Sequence, residues 1–274
     1  MTNFRQLMTA LEAHYPPQMA ESWDQVGNHF GRPEAPVKRL MAVLDLDDAS
    51  LAEAIEKGVD TLIVHHPVLF SPIRRFDFSS PEQARYEALI KHDIKVFAMH
   101  TNFDIAYNGM NDWLAEQLGL EEVTSLTPGA QEGQPGLGRV GNLPQALNRQ
   151  ALLDLLKSTY GRTELPVVEA KPKDSYQRIA LIGGSGTQPE YIQAVAQSQA
   201  DVFLTGDISY HRAQLCYQED MMTVDVGHYV ESIFKEKMPS LDIVSFGPNM
   251  YDVHTPRERL SISSTERSYR LLMN

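Results

Sequence analysis

DTLIVHHP, residues 60–67, is an apolar run that ends in two adjacent histidines and a proline. A run of this length with no polar alternation reads as a strand covered on both faces, as in the middle of a parallel or mixed sheet. Pro67 pushes the residue before it out of helical geometry and ends the strand. Neighbouring side chains on a regular strand point to opposite faces, so the two imidazoles converge only where the strand stops.

Working outward, RLMAVLDLD (39–47) reads as a second buried strand, SLAEAIEKG (50–58) as a helix capped by Ser50 and closed by Gly58, and IKVFAMHTNFD (94–104) as a third strand. The second half replays this order with RIALIGGSG (178–186), the helix PEYIQAVAQSQ (189–199), ADVFLTGD (200–207) and MTVDVGHYVE (222–231). The alignment sets His65 over Gly206, His66 over Asp207, His228 over His100, and Glu231 near Asp104. The expected fold is α/β: duplicated halves with mixed or parallel sheets covered by helices, and a site between the halves at the carboxyl ends of the strands. The first half spans 1–123 and the second 178–274. Residues 124–177 connect them through loops, the short strand GLGRVGN and the helix ALLDLLKSTYG (151–161), with no inserted domain. SSTERSYRLLMN (263–274) reads as a last strand or a frayed tail.

Composition narrows the function. With 42% hydrophobic and 22% charged residues in 274, the chain is too apolar for disorder. A formal charge of −12 repels phosphate backbones and anionic lipid, and no Lys/Arg run exceeds Arg74-Arg75. Nucleic-acid and membrane partners are therefore disfavoured, and an anionic substrate needs local positive charge, which bound metal can supply. Cys216, the one cysteine, excludes an internal disulfide and a cysteine-rich zinc site; HRAQLCYQ places it on the apolar face of a helix as a buried thiol. The amino-terminal MTNFRQLMTALEAHYPP has helical spacing and no apolar h-region, so the expected location is cytoplasmic.

Three clusters of histidine and carboxylate stand at strand ends: His65 and His66; His100 and Asp104 in HTNFD; His228 and Glu231 in GHYVE, where Gly227 breaks the strand. Residues three apart at a helix start share a face. Mixed imidazole and carboxylate donors suit Zn²⁺, Fe²⁺ or Mn²⁺ better than Ca²⁺ or Mg²⁺. His100 reads equally as an outer-sphere partner or a structural residue. Asp207 and His211 in TGDISYH are candidates for proton transfer or substrate contact, with a helix N-cap an equal account of Asp207. GGSG (183–186) lacks the Lys-Ser/Thr of a phosphate loop and reads as a tight turn. His14, His29, His92 and His254 have no ligand partner at suitable spacing and read as ordinary.

ESWDQVGNHFG (21–31), IVHHPVLFSPIRRF (63–76), HTNFDIAYNGMNDWLAEQLGL (100–120), TGDISYH (205–211) and DVGHYVE (225–231) resemble, in colinear order over almost the whole chain, the hallmark segments of the GTP cyclohydrolase 1 type 2 homologue family, the NIF-three-like proteins. The resemblance implies a homohexamer, a trimer of dimers, with two divalent metal ions per subunit held by His65, His66, Asp104, His228 and Glu231. Glu231 would bridge, His65 and Asp104 would complete one ion, and His66 and His228 the other. Some members space the last His and Glu by four rather than three, which keeps both on one helical face. The implied activity is hydrolytic opening of the GTP imidazole ring. Two readings stand at this point: a metal-dependent hydrolase on a small, nucleotide-like substrate, and a non-catalytic metal-binding scaffold or partner-binding protein.

Overall fold

The computed structural model describes residues 2–228 and, beyond them, the strand residues 244–245, 249–251 and 259–261. The elements are α1 (Phe4–His14), β1 (Gly27–Phe30), β2 (Leu40–Val43), α2 (Asp48–Glu56), β3 (Thr61–Val64), α3 (Pro81–Lys91), β4 (Lys95–Ala98), α4 (Thr101–Ile105), α5 (Met110–Gln117), β5 (Glu121–Ser125), β6 (Arg139–Leu147), α6 (Arg149–Tyr160), β7 (Val167–Val168), β8 (Tyr176–Leu181), α7 (Pro189–Gln197), β9 (Val202–Thr205), α8 (Tyr210–Gln218), β10 (Met222–Asp225), β11 (Val244–Ser245), β12 (Asn249–Tyr251) and β13 (Arg259–Ser261). They fall into two compact units, one of residues 1–102 and 234–274, the other of 103–233. Among the described residues no helix is long and apolar enough to cross a membrane.

In the first unit the sheet runs β1-β4-β3-β2-β11, with β2, β3 and β4 mutually parallel and β1 antiparallel on the edge. All four residues of β3 have no exposed surface, as expected of a strand covered on both faces. Leu62, Val64, Met41, Val43, Val96 and Ala98 share one core cluster with Leu51 and Ala54 of α2 and with Leu89 of α3. Each Leu or Val buried there contributes roughly 1.5–3 kcal/mol against exposure. Asp47, not Ser50, caps α2: its carboxylate accepts from the Ser50 amide while the Ser50 hydroxyl accepts from the Asp47 amide. The reciprocal box needs its acceptor one turn earlier than the reading from Ser50 allowed.

The second unit orders its sheet β5-β6-β8-β9-β10-β7, with β8, β9 and β10 mutually parallel and flanked by antiparallel strands. Asn148 caps α6, and Gly161 closes it in the left-handed conformation. Cys216 is fully buried on α8, as read from the sequence. The three parallel strands repeat the order of β2-β3-β4. Their ladders keep the same register: Leu40, Thr61 and Lys95 are in line in the first unit, and Ile179, Val202 and Met222 in the second. The second unit therefore matches Gly227 to His100, and His228 follows one residue later than the sequence alignment placed it.

Candidate metal centre

The chain ends β3 at Val64, and the next two amides still pair: His65 N–H donates to the Val43 carbonyl and His66 N–H to the Leu44 carbonyl, each at 3.0 Å. Pro67 then brings no amide hydrogen. The backbone turns there, and the His65 and His66 rings converge with centroids 5.0 Å apart. His100, two residues beyond β4, completes the group, its centroid 5.2 Å from His65 and 5.5 Å from His66. One ring nitrogen from each of the three lies within 4.8 Å of the others, so this triad could hold a metal ion.

Each Nδ1 has a hydrogen-bond acceptor. His65 Nδ1 lies 2.9 Å from the Met99 carbonyl, His66 Nδ1 2.7 Å from Asp45 Oδ1, and His100 Nδ1 2.9 Å from Asp24 Oδ1. A carbonyl or carboxylate oxygen only accepts, so Nδ1 carries the proton in all three rings. A neutral ring then ligates through Nε2, with its orientation fixed by the partner behind it, as is usual for metal-ligating histidine.

Asp24 does more than hold His100. Its side chain is fully buried, and Oδ2 accepts from the Thr101 amide at 3.0 Å and the Thr101 hydroxyl at 2.5 Å. It thus places a carboxylate at the start of α4, where helix amides are unsatisfied. Burial pushes this carboxyl up, but the bonds from His100 and Thr101 outweigh it and hold it at about 2. Asp24 is ionised at neutral pH.

Asp104, also on α4, is buried, and its backbone carbonyl accepts from Asn111 Nδ2 at 2.9 Å. In the second unit, His228 Nδ1 lies 2.6 Å from Asp207 Oδ2, repeating the histidine–carboxylate pattern at the end of a parallel strand. Asp207 is not the N-cap of α8, a position held by Ser209; its backbone is left-handed (φ 55°) and its side chain goes to His228. Gly206 is required there, since a Cβ would come within 2.7 Å of the His228 backbone nitrogen. Asp225 secures the same strand end by accepting from the Ile208 and Gly227 amides. His211 is exposed on α8 against Tyr210, beside an open cavity of about 690 Å³ that Val168 and Tyr217 also line. Glu231, His254 and residues 263–274 lie outside the described residues.

Sequence reasoning gave no role to Asp24, Asp45 and His29. His29 is not an ordinary surface histidine: Nε2 donates to the Gln25 carbonyl at 2.8 Å, and Nδ1 accepts from the Leu69 amide at 3.0 Å. Burial lowers its pKa, so the ring is neutral. The signal for Asp24 and His29 was present in ESWDQVGNHFG, and for Asp45 at the end of RLMAVLDLD, but nothing in sequence spacing pairs them with residues so distant.

The parallel strands, repeated in two units, and the histidine triad at the strand ends of the first define an α/β protein with a candidate metal centre. The Duf34/NIF3 (NGG1p interacting factor 3) family model matches residues 2–241, and the chain belongs to that family. A GTP cyclohydrolase 1 type 2 homolog from Streptococcus pneumoniae is 40% identical over 242 residues, covering 86% of this chain and 88% of that relative. Reduced HcgD from Methanocaldococcus jannaschii superposes with a TM-score of 0.77 at 31% identity, covering 89% of this chain and 96% of the other. A Bacillus cereus protein related to NIF3 gives 0.81 at 23% identity, over 92% and 98% of the two chains, and supports the fold.

Proposed function

We propose that this chain binds two divalent metal ions and uses them to hydrolyse a small, nucleotide-like substrate. The observation that carries the reading is the strand end: the His65 and His66 imidazoles converge there, each with Nδ1 tied to an oxygen acceptor, and His100 stands beside them. That donor set fits Zn²⁺, Fe²⁺ or Mn²⁺. His65 and His66 are the ligands from this strand end, and Asp104, His228 and Glu231 are those that the family resemblance adds. Bound there, such ions would supply Lewis acidity and bring the pKa of water toward neutrality.

The chain's own residues do the rest. The Met99 carbonyl and Asp45 hold the proton on Nδ1 of His65 and His66, so Nε2 is the atom that would hold a metal. Asp207 does the same for His228. Asp24, buried and ionised, keeps the proton on Nδ1 of His100 and stabilises the imidazolium that forms when Nε2 accepts a proton. We therefore assign proton transfer, rather than metal binding, to His100. His211 is given no part in it. The name of the pneumococcal relative suggests GTP as the first substrate to try. A hexamer, as a trimer of dimers, is the proposed assembly, closed symmetry being the rule for soluble homo-oligomers.

Turnover of GTP and of a phosphoester panel, before and after chelation and re-addition of Zn²⁺, Mn²⁺ or Fe²⁺, tests the reading. Hydrolysis that vanishes with chelator and returns with metal supports it. Full metal loading with no turnover of any member favours the scaffold reading. His100→Ala is expected to keep its metal and lose activity by roughly 10²–10⁴-fold, the usual range for a proton-transfer group.

A further inference from the structure

We infer that Trp23 and Phe70 form a corner that stacks a planar heteroaromatic ring beside the histidine triad. The binding claim stands on the aromatic geometry; only its link to catalysis rests on the function proposed above. Trp23 is 51% and Phe70 52% exposed, a large apolar surface to leave in water. The two rings lie 5.9 Å apart at 55°, and Trp23 meets His100 edge-on at 6.0 Å and 72°. Two tilted π-faces that meet at a corner offer one face for stacking and one edge for a T-shaped contact. Aromatic rings gain from that geometry beyond the area they bury, and aliphatic groups do not.

The corner is braced from both sides. Glu21 N–H donates to the Thr101 hydroxyl at 2.9 Å, and Asp24 N–H closes a turn back to the Glu21 carbonyl at 2.9 Å. With the Asp24 carboxylate buried on Thr101 and His100, the backbone on both sides of Trp23 is tied to the triad's own support. His29 then spans the two loops: its Nε2 holds the Gln25 carbonyl, two residues after Trp23, and its Nδ1 holds the Leu69 amide, next to Phe70. One neutral imidazole thereby ties together the two backbone segments that carry the aromatic side chains. An exposed indole on a backbone tied at both sides, and in contact with a histidine of the triad, is placed to receive a ligand at the triad. A net charge of −12 gives the surface no general attraction for phosphate, so stacking on the ring adds affinity that long-range charge does not.

The test uses the whole chain with Trp113→Phe, which leaves Trp23 as the only indole. Guanosine and GTP are titrated against ribose 5-phosphate and tripolyphosphate, with metal content and molar mass measured on the same samples. Guanosine and GTP are expected to quench Trp23 emission, and the two ringless probes to leave it unchanged. By calorimetry with Trp113 intact, Trp23→Ala and Phe70→Ala should bind GTP roughly 5- to 150-fold more weakly, the range for loss of one base–aromatic stack. Trp23→Phe should restore most of that loss, with metal content unchanged throughout. Wild-type GTP affinity in both alanine variants, or tripolyphosphate binding as tightly as GTP, would overturn the inference while leaving the metal reading intact. Ring binding by a protein that takes up no metal would leave the inference standing and sink the metal reading. A fall in molar mass in Trp23→Ala with unchanged GTP binding would make this surface a contact between copies and overturn it.

Discussion

Asp24 and His100, 76 positions apart, meet with Oδ1 2.9 Å from Nδ1, and the same carboxylate caps the helix that begins at Thr101. One buried charge thus orients an imidazole of the triad and closes the first turn of α4. Asp24→Ala leaves the Thr101 amide and hydroxyl and His100 Nδ1 without their acceptor. The expected loss is about 3 kcal/mol of stability, since each buried donor left unsatisfied costs roughly 1–3 kcal/mol and water can reach some of them. Chemical denaturation, with the midpoint compared at constant slope, measures it. Asp24→Asn should lose less, because an amide oxygen in the place of Oδ2 still accepts both bonds from Thr101.

Asp45→Ala separates orientation from ligation. Asp45 lies behind His66, on the nitrogen opposite the one that would face metal, and its side chain is 61% exposed. Losing such a partner typically weakens metal binding 10–100-fold without removing the ligand. Competition with a calibrated chelator should show that drop. Affinity equal to wild type would mean that the Asp45 contact does not orient His66.

The His29 brace has a pH signature. Burial, the largest cause, lowers its pKa below the ordinary value of 6.5, and the opposing bond to Gln25 does not cancel it. The unfolded chain therefore takes up this proton at higher pH than the folded one. The neutral-ring contribution is complete above pH 6.5 and is lost as pH falls below it toward the folded pKa. His29→Gln, which removes the titrating group, should flatten stability across that window relative to wild type. An identical slope in the two proteins would contradict the assignment.

Cys216 is fully buried, and burial, the largest influence on it, raises its pKa. A protonated, enclosed thiol is a poor nucleophile. It should react with a thiol reagent only at the rate of unfolding; fast stoichiometric labelling of native protein would contradict this.

The strands and their order were legible because buried parallel strands are continuous apolar runs with breakers at their ends. Leu40–Val43, Thr61–Val64, Lys95–Ala98, Val202–Thr205 and Met222–Asp225 all fall inside runs visible in the sequence. The convergence of His65 and His66 followed from Pro67 and the two-residue period of a strand. What spacing did not reveal were the long-range partners. Asp24 and Asp45 reach the triad only through tertiary packing, and His29 brings together two loops 40 residues apart. The antiparallel edges β1 and β7 were missed for a related reason: GNHF and VV are too short to carry a period. His228 stands six positions after Met222 and His100 five after Lys95, so with both ladders in the same register the two histidines are displaced by one residue.

The central claim is that the His65–His66 strand end holds metal, and elemental analysis of protein purified without a nickel column tests it most directly. Wild type is expected to carry about two divalent ions per chain, the stoichiometry of a two-metal site. His66→Ala should fall toward one or none with its circular dichroism spectrum unchanged, since His66 follows the end of β3 and is only partly buried. Full metal content in His66→Ala, or wild type that takes up none on incubation with Zn²⁺, Mn²⁺ and Fe²⁺, would contradict the account.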